Sequence, residues 1–288
     1  MVQNNLTSLQ DSGILYVVAT PIGNMEDITV RALKMLSQMD VIVAENTSHT
    51  LKLCSHYGIK TPVTTYNQHN SKRKINGIIS KLESGAKIGL VTDAGTPGIS
   101  DPGSSLVRAV AERDIKIIPL PGPSAVVTAL SIAGFPAEQF IFMGFSPNKK
   151  GKRLMEFENL RYEKRTAVLF ESPHRLKRML ADLKVIIEKR HIVVVRELTK
   201  MFEEIIRGTA EEVYDFFETN EPKGEFTIVV EGYSGEAYSA YTEKGIDEIL
   251  DFALKKYPLI SIRDRAKLIS SESKIPYRQV YKRLIEKQ

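Results

Sequence analysis

The sequence VTDAGTPGISDPG, residues 91–103, lies between an apolar run, KIGLV (residues 87–91), and a helix-like segment, SSLVRAVAERD (residues 104–114). It contains three glycines, two prolines and two aspartates. It lacks the GxGxxG spacing of dinucleotide-binding folds, and no Gly-Lys-Ser/Thr follows as in a Walker loop. A stiff, glycine-rich connection between a strand and a helix predicts a loop whose backbone approaches a ligand closely.

Three further loops follow predicted strands in the same half of the chain. They are ATPIGN (residues 19–24), AENTSHT (residues 44–50) and PGPSA (residues 121–125). In an open parallel sheet, ligands bind at the carboxyl ends of the strands. The helix N-termini behind such loops favour a carboxylate or a phosphate. The four loops together therefore predict a ligand site at one edge of a sheet.

The fold class follows from the alternation of short apolar runs with amphipathic helices over residues 14–120. This pattern predicts an α/β fold in which a parallel sheet carries helices on both faces. Further strands are predicted at FIFMGF (140–145), TAVLF (166–170) and EFTIVVEG (225–232). We expect an N-terminal α/β domain over residues 1–145, a C-terminal α/β domain over residues 146–238, and a basic helical module over residues 239–288. The three short helices predicted in this module are compatible with a helix-turn-helix or with a small bundle packed on the main body.

Composition excludes several classes of protein. The chain is 42% hydrophobic, which is enough for a packed core. No apolar stretch approaches the roughly 20 residues of a membrane span, and the polar N-terminus does not resemble a signal peptide. The single cysteine, Cys54, excludes an internal disulfide and a cysteine-built zinc site. We predict a soluble cytoplasmic protein that holds no metal and does not associate with membranes.

Positive charge is concentrated in two segments. The formal net charge is +5, and residues 259–288 contain eight Lys or Arg and three acids, so the preceding 258 residues are neutral overall. A second basic cluster, NKKGKR, occupies residues 148–153. Such segments are either solvated faces or contacts with a polyanion such as nucleic acid.

Acidic residues in the predicted loops are candidates for acid–base chemistry. Glu45 and His49 are suited to pair as a base and its orienting group, although a solvated acid at a strand end is the simpler interpretation. Asp93 and Asp101 precede turn residues, and we predict that they cap turns rather than act as a carboxylate pair.

Eight motifs, in their order along the chain, resemble those of the tetrapyrrole-methylase superfamily. They are ATPIGN, AENTSHT, DAGTPGISDPG, PGPSA, GF-P-K-GKR, ESPHR, RELTK and KGEF. More narrowly, they resemble the ribosomal small subunit RNA methyltransferase I family over about residues 15–231, and the basic C-terminal module is similar to that family's tail. The resemblance implies a two-domain tetrapyrrole-methylase-like fold with a small helical C-terminal module. It also implies S-adenosyl-L-methionine as the cofactor, bound in the cleft between the two α/β domains and walled by the stretch at residues 91–103.

The resemblance assigns cofactor contacts to positions in both domains. These are Pro21, Ala94, Gly95, Thr96, Ile99, Ser124, Ala125, Glu171 and Leu198.

The implied reaction is 2′-O-methylation of a cytidine ribose in the decoding region of 16S ribosomal RNA, presented as small-subunit RNA or as a 30S particle. The family also implies a homodimer. A ribose hydroxyl is weakly acidic, so a group must help to remove its proton. Glu45 and His69 are candidates for this base, and Lys200 is a candidate partner for the developing oxyanion.

The chain departs from the family at two places. The family usually has EDTR where this chain has Glu45-Asn46-Thr47-Ser48, and often has His where Asn67 stands. The loss of an acid and a base at this loop indicates either altered substrate handling or a compensated pair in which Asn46 and Ser48 hydrogen-bond each other. The residues that we assign to RNA contacts are Asn46, Ser48, Lys149, Lys150, Lys152 and Arg153. A small-molecule tetrapyrrole methylase and an inactive ribosome-binding relative remain as alternative functions.

Overall fold

A computed structural model describes residues 13–67, 71–187, 189–234, 250–251, 254, 261–273, 275 and 277–287. The first sheet consists of β1 (Ile14–Val18), β2 (Val41–Ala44), β3 (Val63–Thr65), β4 (Lys87–Val91) and β5 (Lys116–Leu120), in the order β3-β2-β4-β1-β5. All four strand pairings are parallel. The strand ends that precede the four loops therefore lie along one edge.

Helices cover both faces of this sheet, as the sequence pattern predicts. They are α1 (Val30–Leu36), α2 (Thr47–His56), α3 (Ser71–Glu83) and α4 (Ser104–Ala111). Apolar residues of α1 and α2 form one core with side chains such as Tyr16 and Val18, while α3 and α4 form a second core with Leu15 and Leu90. Adjacent residues of β1 thus point to opposite cores, which explains why this strand is apolar throughout.

The second sheet is mixed. It consists of β6 (Phe140–Phe145), β7 (Thr166–Glu171), β8 (His191–Arg196), β9 (Glu204–Thr209) and β10 (Phe226–Val230), in the order β6-β7-β10-β8-β9. Only the β6–β7 pairing is parallel among the described pairs of this sheet. The helix α5 (Ala125–Ala133) packs on one face, and α6 (Lys150–Glu158), α7 (Pro173–Ile187) and α8 (Ala210–Thr219) pack on the other.

The predicted boundary at residue 145 differs from the observed one. The strand β6 pairs with β7 and therefore belongs to the second sheet, although the prediction placed it in the first domain. The helix α5 also packs on the second sheet, through Ala129 and Leu130 against Val193 and Val229. The change of sheet thus falls directly after β5, because the apolar surface of α5 is buried by the strands that follow it.

Residues 233–288 form a separate compact unit, which begins at Tyr233 rather than at the predicted residue 239. Its described helices are α9 (Ile262–Ser273) and α10 (Tyr277–Glu286). A small core of Leu250, Ala266, Ile269, Val280 and Leu284 joins them. Most of the first predicted helix of this module lies outside the described residues. In the part of the chain that the structure describes, no helix combines the length and apolarity needed to cross a bilayer.

Candidate functional site

A cavity of about 450 Å³ lies between the carboxyl edge of the first sheet and the second sheet. From the first sheet it is lined by the ends of β2 and β4, by the stretch 93–101 and by the start of α5. From the second sheet it is lined by Phe145, residues 170–173, Val195, Leu198 and residues 225–227. Its volume is within the range of roughly 300–1,000 Å³ typical of small-molecule sites.

The stretch 91–103 is held in place by the first loop. Thr20 and Gly95 exchange backbone hydrogen bonds, with N···O distances of 2.9 and 3.1 Å, and the Thr20 hydroxyl donates to the carbonyl of Thr92 at 3.1 Å. Gly95 has φ = +75°, in the left-handed region that disfavours residues with a Cβ atom. The glycine thus allows the loop to turn its backbone along the cavity wall.

The first loop also contacts the second half of the molecule. The Asn24 backbone N–H donates to Thr199 Oγ1 at 3.1 Å. A Cβ atom at Gly23 would lie 2.7 Å from the carbonyl oxygen of Leu198 and 2.9 Å from Thr199 Oγ1. Only glycine permits this close approach between the first loop and the segment at residues 198–199.

The structure brings eight of the nine predicted cofactor positions to the wall of this cavity. They are Ala94, Gly95, Thr96, Ile99, Ser124, Ala125, Glu171 and Leu198. The ninth, Pro21, lines an adjacent cavity of about 200 Å³, which shares Ile22, Asp93, Ala94 and Glu225 with the first. Predicted positions as far apart in the chain as Ala94 and Leu198 therefore converge on one cavity.

Glu171 lines the cavity, but its carboxylate is bonded to other protein groups, which the sequence did not indicate. Its side chain is fully buried, and its Oε1 accepts from the Ser172 backbone N–H at 2.8 Å and lies 3.2 Å from Arg175 Nε. Its Oε2 accepts a hydrogen bond from the Ser146 hydroxyl. The carboxylate is thus bound by the protein itself and fixes the turn between β7 and α7.

Among the predicted catalytic candidates, Glu45 lies at the cavity. Its Oε2 accepts a hydrogen bond from the Thr92 hydroxyl at 2.9 Å. His69 lies outside the described residues. Lys200 lines the smaller cavity, where its Nζ is 2.9 Å from Glu197 and 3.0 Å from Glu225.

The two carboxylates around Lys200 fix its charge. Partial burial alone would lower the pKa of Lys200, but the hydrogen bonds with Glu197 and Glu225 outweigh burial and raise it. Lys200 is therefore a permanent cation that is already neutralised by its neighbours, which limits what it offers to an oxyanion.

The predicted capping role of Asp101 is wrong. The helix α4 has Gly103 as its N-cap and no side-chain cap. Asp101 instead faces the cavity with Glu45 and Asp93. Burial, together with the negative charge of Glu45, raises the pKa of Asp101 to about 6, although a hydrogen bond with the Thr92 side chain opposes the shift.

Asp93 rather than Glu45 is the acid beside His49. The distance between His49 Nδ1 and Asp93 Oδ1 is 3.9 Å, whereas the prediction paired His49 with Glu45. Asp93 Oδ1 is buried and makes no hydrogen bond with any described residue. Five carboxyl groups line the cavity: besides Glu171 and Glu225, they are Glu45, Asp93 and Asp101, contributed by the ends of β2 and β4 and by the stretch after β4.

The predicted loop AENTSHT is largely the first turn of α2. Asn46 is the N-cap, and its Oδ1 accepts from the Ser48 backbone N–H at 3.1 Å. The link that we predicted between these residues thus uses the Ser48 backbone, so the Ser48 side chain stays exposed. Asparagine and aspartate are about equally good N-caps, so Asn46 preserves the capping function of the acid that is usual in the family.

This arrangement gives a prediction for stability. Asn46→Ala should lower the free energy of unfolding by about 1 kcal/mol, since the first turn of α2 loses its cap. Asn46→Asp should leave that free energy nearly unchanged. Urea unfolding of the two variants beside the wild type measures both values, and equal losses in both would show that the cap does not stabilise α2.

The basic cluster at residues 148–153 contains both exposed and buried side chains in the folded protein. Lys149, Lys150 and Lys152 are exposed, in keeping with contacts to a polyanion. Arg153 is not available for such contacts, contrary to the prediction. Its side chain is only 8% exposed, its Nε donates to Asp182 at 2.8 Å, and its Nη1 donates to the carbonyl of Pro147 at 3.0 Å. Arg153 therefore anchors the loop that presents the lysines.

No group of three or more His, Cys, Asp or Glu side chains within the described ranges is arranged to hold a metal ion.

Comparison with known proteins places the chain in a family. The family model for tetrapyrrole (corrin/porphyrin) methylases matches residues 14–214. A ribosomal RNA small subunit methyltransferase I of Synechocystis sp. is 41% identical over 275 residues, which cover 95% of this chain and 98% of the relative. Another protein of that name, from Halalkalibacterium halodurans, is 45% identical over 80% of each chain.

The fold is similar to that of a solved cobalt-precorrin-4 methyltransferase, with a TM-score of 0.57 and 21% identity over 76% of this chain and 94% of the other. The predicted two-domain α/β fold is thereby confirmed. The chain belongs to the tetrapyrrole methylase family and, within it, to the family of ribosomal RNA small subunit methyltransferase I.

Proposed function

We propose that this protein transfers the methyl group of S-adenosyl-L-methionine to the 2′-hydroxyl of a cytidine in the decoding region of small-subunit ribosomal RNA. Membership of the family gives the methyltransferase class and the cofactor. The observation that carries the proposal is the convergence of eight predicted cofactor positions on one cavity, which Glu45, Asp93 and Asp101 also line.

The cavity suits the chemical groups of the cofactor. Apolar side chains, among them Ile22, Ile99 and Phe170, offer surfaces for the adenine ring and the methionine chain. The helix α5 begins at the cavity with Ser124 as an N-cap that makes no side-chain capping bond. Its first backbone N–H groups are suited to a carboxylate.

The chemistry is an in-line displacement. A bound sulfonium supplies an electrophilic methyl carbon, so the protein's tasks are to align the acceptor oxygen, to exclude water and to remove a proton. Hydrogen bonds between Thr20 and Gly95 and between Asn24 and Thr199 hold the loops of the cavity wall in place. A fixed wall helps to align the acceptor oxygen with the methyl carbon. Glu45 lines the same cavity, which supports the proposal that it acts on the target ribose. His69 remains a further proposed base, and Lys200 a more distant electrostatic contributor.

RNA is proposed to contact exposed basic side chains in each of the two units of the chain. Lys149, Lys150 and Lys152 lie on the segment that begins α6, only a few residues beyond Phe145, which lines the cavity. The exposed Asn46 and Ser48 lie at the start of α2, directly after Glu45. The described helices α9 and α10 expose Arg263, Lys267, Arg278 and Lys282. The substrate is proposed to be small-subunit RNA or the 30S particle, and the protein to act as a homodimer.

The lysines give a prediction for RNA binding. Joint replacement of Lys149, Lys150 and Lys152 by alanine should weaken binding to small-subunit RNA and flatten its salt dependence. Each lost phosphate contact should reduce the slope of log K against log salt concentration by roughly 0.7–0.9, so the total change should be about 2–3. Cofactor affinity should be unchanged.

A matched control removes three other exposed lysines. Lys34→Ala, Lys87→Ala and Lys116→Ala alter the net charge equally, and none of these residues lines the cavity. Filter-binding titrations at several salt concentrations compare the two triple variants. Equal slopes for both would show that the segment at residues 149–152 is only a solvated face.

Transfer of a labelled methyl group tests the reaction itself. Purified protein should label 30S particles that lack the modification, and nucleoside analysis should recover 2′-O-methylcytidine. Label on a porphyrin-like acceptor and none on RNA would favour a small-molecule methylase, while binding to 30S particles without transfer would indicate an inactive relative.

A further inference from the structure

We propose that the smaller cavity, of about 200 Å³, receives the base of the target nucleotide, and that Asp93 identifies this base as cytosine. This inference rests on the proposed RNA 2′-O-methyltransferase function and deepens it, because it assigns the selectivity for cytidine to one side chain. It adds a substrate site beside the cofactor site.

The smaller cavity adjoins the larger one, which contains the predicted cofactor positions. The two cavities share four residues as a common wall: Ile22, Asp93, Ala94 and Glu225. Most of the remaining lining of the smaller cavity comes from residues 20–25 and from α2. A nucleoside whose base fills the smaller cavity would therefore bring its ribose to the wall that is shared with the larger cavity.

The size and the apolar part of the lining suit a single flat ring. Pro21, Met25 and Leu53 supply apolar surface, and bases that are removed from a stack are held between apolar or aromatic side chains. The smaller cavity has less than half the volume of the larger one, at about 200 Å³ against about 450 Å³. This volume favours the one ring of a pyrimidine over the two rings of a purine.

The charges of the lining disfavour a phosphate group. Lys200 is neutralised by Glu197 and Glu225, whose carboxylate oxygens lie 2.9 and 3.0 Å from its Nζ. Asp93 adds a further negative charge, and His49 is the only other basic side chain among the described residues of the lining. The site therefore suits an uncharged group that offers a hydrogen-bond donor.

Asp93 has hydrogen-bonding capacity left for such a donor. Its Oδ1 is buried and makes no hydrogen bond with a described residue. His49 Nδ1 lies 3.9 Å from this oxygen, which is beyond hydrogen-bonding distance. The Asp93 side chain is 37% exposed, so a ligand can still reach the carboxylate. Because an unpaired buried acceptor costs free energy, a donor from a bound base would be favourable here.

Cytosine presents an edge that matches this acceptor. Its exocyclic N4 amino group is a donor, and aspartate and glutamate are the side chains that accept from it. Uracil has a carbonyl oxygen at the same place, which a carboxylate repels. Asp93 is therefore suited to select cytidine over uridine at the atom where the two bases differ. A ring N–H of His49, beside Asp93, is suited to an acceptor atom of the same base.

The test compares methyl transfer to 30S particles that carry either cytidine or uridine at the methylated position, with saturating S-adenosyl-L-methionine. The wild type should prefer cytidine by about 5- to 150-fold in kcat/KM, the range expected for one well-placed base contact. Asp93→Asn should reduce this preference to about threefold or less, because an amide accepts from cytosine and also donates to uracil. Part of the change should be faster transfer to uridine, which a merely structural role of Asp93 would not produce.

Asp93→Ala removes the acceptor without supplying a donor. The preference should again fall, mainly because transfer to cytidine slows. The control Asp215→Asn removes a carboxylate from the exposed face of α8 and should keep the wild-type preference. Each preference is a ratio measured within one variant, so a change in the amount of folded protein or in cofactor affinity cancels.

The outcomes separate this inference from the proposed function. Equal slowing on both particles in Asp93→Asn and Asp93→Ala, with the cytidine preference retained, would overturn the inference and leave the proposed function standing. A wild type that methylates both particles equally would also overturn it. A wild type that transfers no methyl group to either particle would defeat the proposed function, and the inference with it.

Discussion

Thr96→Arg should abolish binding of S-adenosyl-L-methionine while the fold survives. Thr96 lines the cavity together with seven other predicted cofactor positions, so an arginine side chain there would occupy the space of the cofactor. We expect affinity to fall by at least about 100-fold, which corresponds to about 2.8 kcal/mol at 1.4 kcal/mol per factor of ten. Isothermal titration calorimetry measures the loss directly.

Thermal unfolding supplies the control for folding. Ligand at about 100 times its dissociation constant stabilises a folded protein by roughly 2.7 kcal/mol, so the cofactor should raise the melting temperature of the wild type and not of Thr96→Arg. Val185→Arg places the same side chain on the exposed face of α7 and should keep both affinity and thermal shift. Undiminished affinity in Thr96→Arg would remove the cofactor from this cavity.

Arg153→Ala should be the most destabilising single change in the basic cluster. Its guanidinium and the Asp182 carboxylate are both at least 90% buried and hydrogen-bonded to each other. Removing the arginine leaves a buried carboxylate whose remaining ion pair is with the exposed Lys150, at 3.9 Å. Loss of one partner of a buried pair typically costs about 3–5 kcal/mol, and we expect a value at the lower end because Lys150 compensates in part.

Urea unfolding measures this effect against two comparisons. Arg165→Ala breaks the more exposed pair with Glu163, and should cost less than about 1 kcal/mol. The double replacement Arg153→Met with Asp182→Leu removes both charges, and should recover much of the stability lost by Arg153→Ala. A cost for Arg153→Ala no greater than that of Arg165→Ala would mean that Arg153 does not anchor the segment before α6.

The edge of the first sheet was predictable from local pattern. Strands such as β1 and β4 are apolar over nearly their whole length, and each is followed by a loop rich in glycine and proline. Parallel pairing then places all their carboxyl ends together. The proximity of Thr96 and Ser124 could therefore be predicted without information on long-range contacts. The motifs in the second half, such as ESPHR, were connected to this edge by resemblance alone.

The placement of β6 could not be predicted in the same way. The sequence of an apolar strand does not indicate which sheet the strand joins. The strand β6 pairs with β7 because α5 and the strands that follow it share a core. The boundary was therefore misplaced by about the length of one helix and one strand.

The environments of Arg153 and Asp101 differ most from the prediction, because both are determined by residues that are distant in the sequence. Arg153 belongs to a basic run, but it lies four residues before the buried Phe157 on one face of α6, and its partner Asp182 lies among the apolar residues of α7. This helical spacing was a usable signal for burial. Burial in the cavity, followed by the charge of Glu45, raises the pKa of Asp101, and Glu45 is 56 positions away in the chain. The residues next to Asp101 in sequence therefore indicated only a cap, whereas the fold turns its carboxyl group into the cavity.

We propose that this protein methylates a cytidine ribose in the decoding region of small-subunit ribosomal RNA. Mass-spectrometric mapping of ribose methylation in that RNA, from cells with and without the gene, tests this proposal. We expect one 2′-O-methylcytidine in the decoding region to disappear without the gene, to return with the wild-type gene and not to return with Thr96→Arg. Identical methylation maps with and without the gene would contradict it.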